Sequence, residues 1–145
     1  MNTEEILKEW DEDSNVDSNH IDNESVNVPK LHAKYIRHLV QAKMQVNELQ
    51  NEYSVLKKVK FRYYRGELSR DELKEHQLDQ WQGTKPIKSE CEQLLDGDSE
   101  LSKLRFRVEN LNIRISLLES ILGQIKARDW QLKNIVSWKQ FISGG

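Results

Sequence analysis

The stretch LKKVKFRYYRG, residues 56–66, combines five cations with three aromatic rings and contains no Asp or Glu. Its candidate binding residues are Lys57, Lys58, Lys60, Arg62, Tyr64 and Arg65. Cations beside exposed rings suit single-stranded nucleic acid, because the cations neutralise phosphates while the bases stack on the rings. Two other interpretations stay open: the cations keep a helix end soluble and complement the helix dipole, or they bind an acidic protein.

The helical positions of these residues differ. A stripe of three cations lies opposite the apolar face of the predicted helix: Lys58, Arg62 and Arg65. Phe61 and Tyr64 lie on one flank of that face, where a ring is only partly needed for packing. Lys60 points close to the apolar face itself, so its amine either reaches back to the surface or lines a junction between helices.

Two long segments carry apolar residues in steps of three and four, which predicts two long amphipathic helices. The first begins after Pro29 and the second begins at Leu101. Shorter connecting helices are predicted after Ser69, which has capping-box spacing to Glu72, and over Ile87–Leu95. We therefore predict an all-α fold, in which each long apolar face packs on the other, on further copies of the chain, or on both.

The charge is distributed unevenly along the chain. Residues 1–28 hold nine acids and one base, so they carry −8 while the remaining residues carry +6. We interpret residues 1–28 as an acidic, partly disordered leader with a short helix, residues 11–28 being a linker. Residues 29–145 are predicted to form a helical domain, which carries the basic stretch and both long apolar faces.

Signatures of catalysis and of metal or cofactor binding are missing from the sequence. The four histidines do not cluster, no glycine-rich phosphate loop occurs, and DGDSE at residues 96–100 lacks the glycine of a calcium loop. Cys91 is the only cysteine, which excludes an intrachain disulfide and favours a reducing compartment. No apolar run approaches a membrane span. We therefore expect no enzyme, no cofactor, no metal and no membrane partner.

A second basic and aromatic cluster near the C-terminus is more dilute and includes Asp129. Its members are Lys126, Arg128, Trp130, Lys133 and Lys139. We interpret its tryptophan as a core or interface anchor rather than a platform for bases.

Three segments, in this order and spacing, resemble the UvsY family of recombination mediator proteins encoded by T4-like phages. They are LKKVKFRYYRG, the acidic loop and helix start DGDSELSKL, and the ending IKARDWQLKNIVSWKQFISGG. The resemblance covers roughly residues 30–145. The basic positions that contact DNA in that family fall on Lys58 and Lys60, and Arg62 and Arg65 are additional charges.

The resemblance implies a helical, non-catalytic accessory factor that assembles as a ring-like homo-oligomer, a hexamer or a heptamer. Residues 29–145 would then be its domain for binding single-stranded DNA and for oligomerisation. The partners it implies are single-stranded DNA, a RecA-like recombinase and a single-strand-binding protein. Such a factor helps to load the recombinase onto coated strands in the cytoplasm of the infected bacterial host. The alternative is a coiled-coil scaffold protein whose basic stretch only solubilises a helix end or binds an acidic protein.

Overall fold

The structure, a computed structural model, describes residues 2–144. Over these residues the chain forms six α-helices and no β-strand. In chain order they are α1 (Thr3–Asp13), α2 (Ile21–Tyr64), α3 (Arg70–Glu75), α4 (Lys88–Asp96), α5 (Ser99–Lys126) and α6 (Arg128–Ile142). The predicted all-α fold, with two long helices and shorter helices between them, is confirmed.

The buried residues of α2 follow the predicted apolar face. Between residues 35 and 50 they are Tyr35, Leu39, Ala42, Val46 and Leu49. Their steps of four and three residues place them on one side of the helix. The spacing of apolar residues therefore identified correctly which side of α2 is buried.

The chain divides into two compact units. Unit 1 comprises Met1–Met44 and Asn112–Gly145, and unit 2 comprises Gln45–Leu111. The α2 helix begins at Ile21 and continues through Pro29, so residue 28 lies inside it.

The linker predicted over residues 11–28 is shorter in the structure, where only residues 14–20 lie between α1 and α2. Pro29 does not start a helix but lies inside one, although proline removes one helical hydrogen bond. The turn before Pro29 is anchored within unit 1, since Glu24 accepts a hydrogen bond from the buried Arg128 guanidinium at 3.4 Å.

The leader helix α1 is packed into unit 1 rather than free in solvent. Ile6 is almost completely buried. The Trp10 ring meets the Tyr35 ring edge-on with 5.5 Å between centroids, and the Tyr35 hydroxyl donates to Asp13 Oδ2 at 2.8 Å. Apolar and polar contacts together therefore hold the acidic leader in place.

The end of α2 is set by Gly66, which adopts the left-handed conformation with φ of 70°. The Gly66 amide donates to the Tyr63 carbonyl at 3.0 Å and the Glu67 amide donates to the Arg62 carbonyl at 2.9 Å. This pair of bonds is a Schellman motif, which satisfies carbonyls that the helix end would leave unpaired. The basic stretch therefore occupies the last turns of a well-terminated helix.

Candidate nucleic-acid interface

Lys57 and Lys58 lie on the exposed side of α2 in unit 2. Neither amine forms an ion pair with any acid in residues 2–144. The Lys57 amine lies 5.9 Å from the centroid of the Tyr53 ring, close enough for a weak cation–π contact. Both charges are therefore available to an anion from solvent.

Lys60 is placed differently, since its side chain is only 6% exposed. Its amine lies 3.2 Å from Asp98 Oδ2 and 3.5 Å from Glu100 Oε1, both at the start of α5. The sequence left two positions open for the Lys60 amine, the surface or a junction between helices. In the structure the amine lies at a junction between helices. Its charge is neutralised inside unit 2, so it does not contribute to the exposed basic surface.

Tyr64 is also buried and is part of the core of unit 2. Its hydroxyl donates to Asp98 Oδ2 at 2.7 Å, and the Trp81 ring packs against its ring with 4.9 Å between centroids. Burial, together with this hydrogen bond and the negative charge of Asp98, raises the pKa of the Tyr64 hydroxyl. The sequence prediction placed Tyr64 on a flank that needs little packing, but Trp81 and the buried Cys91 and Leu95 of α4 share its core.

Asp98 is the residue that sequence reasoning missed. Its Oδ2 accepts from Tyr64 and pairs with Lys60. Its Oδ1 accepts a hydrogen bond from the Leu101 amide at 3.1 Å, as a helix N-cap does. We call Lys60, Tyr64 and Asp98 the buried triad. The signal in the sequence was an Asp directly before the long second helix, within a segment that was interpreted only as a helix joint.

Arg62 is half-exposed but already has a carboxylate partner. Its two terminal nitrogens contact both carboxylate oxygens of Glu72, at 2.6 and 3.0 Å. The hydrogen bonds from Arg62 hold the pKa of the Glu72 carboxyl below its usual value, aided by the Ser69 amide. This fork-shaped pair ties the end of α2 to α3, whose capping box also uses Ser69 and Glu72.

Arg65 is the third paired cation of the stretch. Its Nε donates to Glu67 Oε1 at 2.9 Å, and its guanidinium lies 5.5 Å from the centroid of the Phe61 ring. The basic stretch thus divides into two unpaired lysines and three cations that each contact a carboxylate within unit 2.

An open groove of about 560 Å³ lies along this face of unit 2. It is lined by Ser54, Lys57, Lys58, Phe61, Arg62 and Leu95. None of these residues is acidic, and the Phe61 ring is 37% exposed. We call this feature the basic groove; it combines positive charge with an accessible apolar wall.

The C-terminal cluster of unit 1 separates into structural cations and exposed rings. Arg128 is buried and donates to the Asp13 carbonyl at 3.1 Å, and the Lys139 amine donates to the Ser18 carbonyl. Trp130 is 69% exposed, which contradicts burial in the core of the single chain. This exposure fits an interface anchor and also a platform for bases.

Within residues 2–144 no group of three or more His, Cys, Asp or Glu side chains is arranged to hold a metal ion. None of the helices in this part of the chain is both long and apolar enough to cross a membrane.

A family model described as "Recombination, repair and ssDNA binding protein UvsY" matches residues 9–145 of this chain. The chain belongs to this family. The resemblance expected from the three sequence segments is confirmed, and the match reaches further toward the N-terminus than those segments do.

The UvsY-family chain is similar to the recombination protein uvsY of Enterobacteria phage T4, with 24% identity over 144 residues, 99% of both chains. Its fold matches two crystal structures of the bacteriophage T4 recombination mediator protein UvsY. The lattice type IV structure gives a TM-score of 0.85 at 20% identity and covers 97% of this chain and 99% of that one. The lattice type II structure gives 0.85 at 22% identity, with 99% and 98% covered.

Lys58 and Lys60, the two positions that the resemblance assigned to DNA contact, differ in exposure. Lys58 is exposed beside the basic groove, whereas Lys60 is sequestered in the buried triad. Lys57 and Lys58 are therefore the exposed, unpaired lysines of the stretch, whereas the charge of Lys60 is paired with Asp98.

Proposed function

We propose that this protein is a recombination mediator that binds single-stranded DNA through the basic groove and helps to load a RecA-like recombinase onto strands coated by single-strand-binding protein. The observation that carries the proposal is the pair of unpaired lysines, Lys57 and Lys58, beside the exposed Phe61 ring in a groove without acids. The protein acts by binding alone, as a non-enzymatic factor in the cytoplasm of the infected bacterial host.

The mechanism requires differential binding. A factor that bound coated and uncoated strands equally well would not shift the exchange between them, however tightly it bound. The basic groove is open, and its cations can hold a strand whose phosphates have been released by the resident protein. We propose that this preference for the partly uncoated strand lowers the barrier to recombinase nucleation.

Self-association strengthens such weak individual contacts. The last helix, α6, exposes five large apolar side chains: Trp130, Val136, Trp138, Phe141 and Ile142. Exposed apolar surface of this kind is typical of an interface, and we propose that it contributes to a ring-like homo-oligomer, a hexamer or a heptamer. Several copies of the basic groove in one assembly would raise the overall affinity through effective concentration.

A loading assay tests the mediator proposal. Single-stranded DNA is coated with single-strand-binding protein, a RecA-like recombinase is added, and its DNA-dependent ATP hydrolysis is followed over time. Adding the protein is expected to shorten the lag before hydrolysis about 10-fold or more, since the lag reports recombinase nucleation on the coated strand.

Two controls accompany the loading assay. Uncoated DNA should show little effect of the protein, because there is then no bound protein to displace. A lag that is unchanged on coated DNA over a range of protein concentrations would contradict the mediator proposal. It would favour the scaffold alternative, which gains support from the internal pairing of Lys60, Arg62 and Arg65.

Glu72 competes with DNA for Arg62 if the basic groove binds phosphates. Glu72→Gln is expected to increase affinity for single-stranded DNA about 2- to 5-fold at low salt. The dependence of log affinity on log salt should become steeper by up to about 0.7, the contribution of one more phosphate contact. The substitution retains a capping-box residue, so α3 remains intact. Fluorescence anisotropy with a labelled oligonucleotide at several salt concentrations measures both quantities.

Glu75→Gln is the matched control, because it removes the same charge from the same helix at an exposed position with no ion pair. Equal effects of the two substitutions would show that only the net charge changed and that Arg62 gains no phosphate.

A further inference from the structure

The Phe61 ring is placed where a flat ligand can reach it. Although Phe61 belongs to the last turns of α2, it lies outside the core of unit 2 and remains 37% exposed on the wall of the basic groove. The buried Leu95 of α4 lines the same groove. An aromatic ring and an aliphatic side chain therefore give the groove an apolar portion, which phosphate binding alone does not require.

The charged residues that line the groove are all cations. Lys57, Lys58 and Arg62 line the groove together with the uncharged Ser54. A ligand that fits must therefore be anionic and carry a flat apolar face. A nucleotide within a single strand has both properties, since its base is flat and its phosphates flank the base on either side. The groove volume of about 560 Å³ is within the range of small-molecule sites in proteins.

We propose that the basic groove is a nucleobase subsite, in which one base of a single strand stacks on Phe61 against Leu95 while Lys57 and Lys58 hold the neighbouring phosphates. This inference rests on the proposed function and adds the group that recognises the base. It also assigns stacking to Phe61 instead of Tyr64, because the ring of Tyr64 is covered by Trp81 and by the core of unit 2.

Arg65 helps to orient the platform. Its guanidinium lies 5.5 Å from the Phe61 centroid while its Nε is held by Glu67. A cation against the ring restricts the orientation of Phe61. A stacking ring that is already oriented loses less side-chain entropy when the base arrives.

The test compares two oligonucleotides of equal length and charge, one with all its bases and one with abasic sites at every position. The unmodified chain is expected to bind the complete strand about 5- to 100-fold more tightly per stacked base. Phe61→Leu should remove most of this ratio, because leucine offers no flat face. Phe61→Tyr should keep the ratio, because the tyrosine ring stacks equally well. The salt dependence should be unchanged in both variants, since no cation is removed.

Phe106→Leu is the matched control, because Phe106 is an exposed phenylalanine of α5 in the same unit and lies outside the groove. It should leave the ratio as in the unmodified chain. If Phe61→Leu also leaves the ratio unchanged while single-stranded DNA still binds, the subsite is overturned and the proposed function stands. If neither oligonucleotide binds the unmodified chain at low salt, both proposals are overturned.

Discussion

Replacing Asp98 by alanine is expected to lower the free energy of unfolding by about 3 to 5 kcal/mol, the range found when one partner of a buried ion pair is removed. The substitution leaves the buried Lys60 amine without its nearest carboxylate and the Tyr64 hydroxyl without an acceptor. The Leu101 amide also loses its N-cap bond. Urea unfolding followed by circular dichroism, at fixed protein concentration, measures the change.

Asp96→Ala is the matched control. Asp96 lies two residues away, is 77% exposed, and has one long ion pair, 3.6 Å from the Arg105 guanidinium. Its loss should change stability by no more than about 0.5 kcal/mol. Similar losses in the free energy of unfolding for the two variants would show that the buried triad does not stabilise unit 2 more than an exposed ion pair does.

The pH dependence of stability gives a second readout for Asp98. Burial alone would raise the pKa of its carboxyl, but hydrogen bonds from Tyr64 and the Leu101 amide and the charge of Lys60 bring it below the usual 3.8. A group with a lowered pKa in the folded state stabilises the protein above its unfolded pKa. That contribution is lost as the pH falls below 3.8 and passes through the folded pKa. Asp98→Asn should therefore lose less stability between pH 5 and about pH 2 than the unmodified chain does.

The local features of the fold could be predicted from the sequence because their causes are local. The capping box of Ser69 and Glu72 depends on residues within one turn. The buried face of α2 follows from steps of three and four residues. Pro29 was misleading, because the contact that stabilises the helix before it comes from Arg128, far away in the sequence.

The division of the basic stretch into free and paired cations could not be predicted, since it depends on the tertiary fold. Arg62 is paired by Glu72 only because α3 returns to the end of α2, and Lys60 is paired by Asp98 only because α5 starts beside it. Helical position alone placed Tyr64 and Phe61 on the same flank. In the structure, Trp81 and α4 pack on Tyr64 and bury it, whereas Phe61 remains exposed.

The pairing also suggests how one stretch can serve two purposes. Lys60 and Tyr64 fix the end of α2 against the start of α5, while Lys57 and Lys58 point to solvent one turn earlier on the same rigid helix. A binding surface on a helix that is anchored by buried contacts keeps its geometry when a flexible ligand arrives. The paired Lys60 therefore helps to hold the helix that carries the two lysines proposed to bind DNA.

The double substitution Lys57→Ala and Lys58→Ala follows from this division of roles. It is expected to weaken binding to single-stranded DNA about 10- to 30-fold at low salt, because two unpaired cations are removed from the basic groove. The dependence of log affinity on log salt should become shallower by about 1.4, since each phosphate contact on a single strand contributes about 0.7. Anisotropy titrations at four or more salt concentrations measure both values. Stability should hardly change, because neither lysine has an ion-pair partner to lose in residues 2–144.

The matched control is Lys74→Ala with Lys103→Ala, two exposed lysines of unit 2 outside the basic groove. The control lowers the net charge by the same amount, so it reproduces any effect of the overall field. If the basic groove contacts phosphates directly, the substitution of Lys57 and Lys58 should lower both the affinity and the salt slope far more than the control substitution does. If the two pairs behave alike, binding depends on net charge alone, and the basic groove is not the surface that holds DNA.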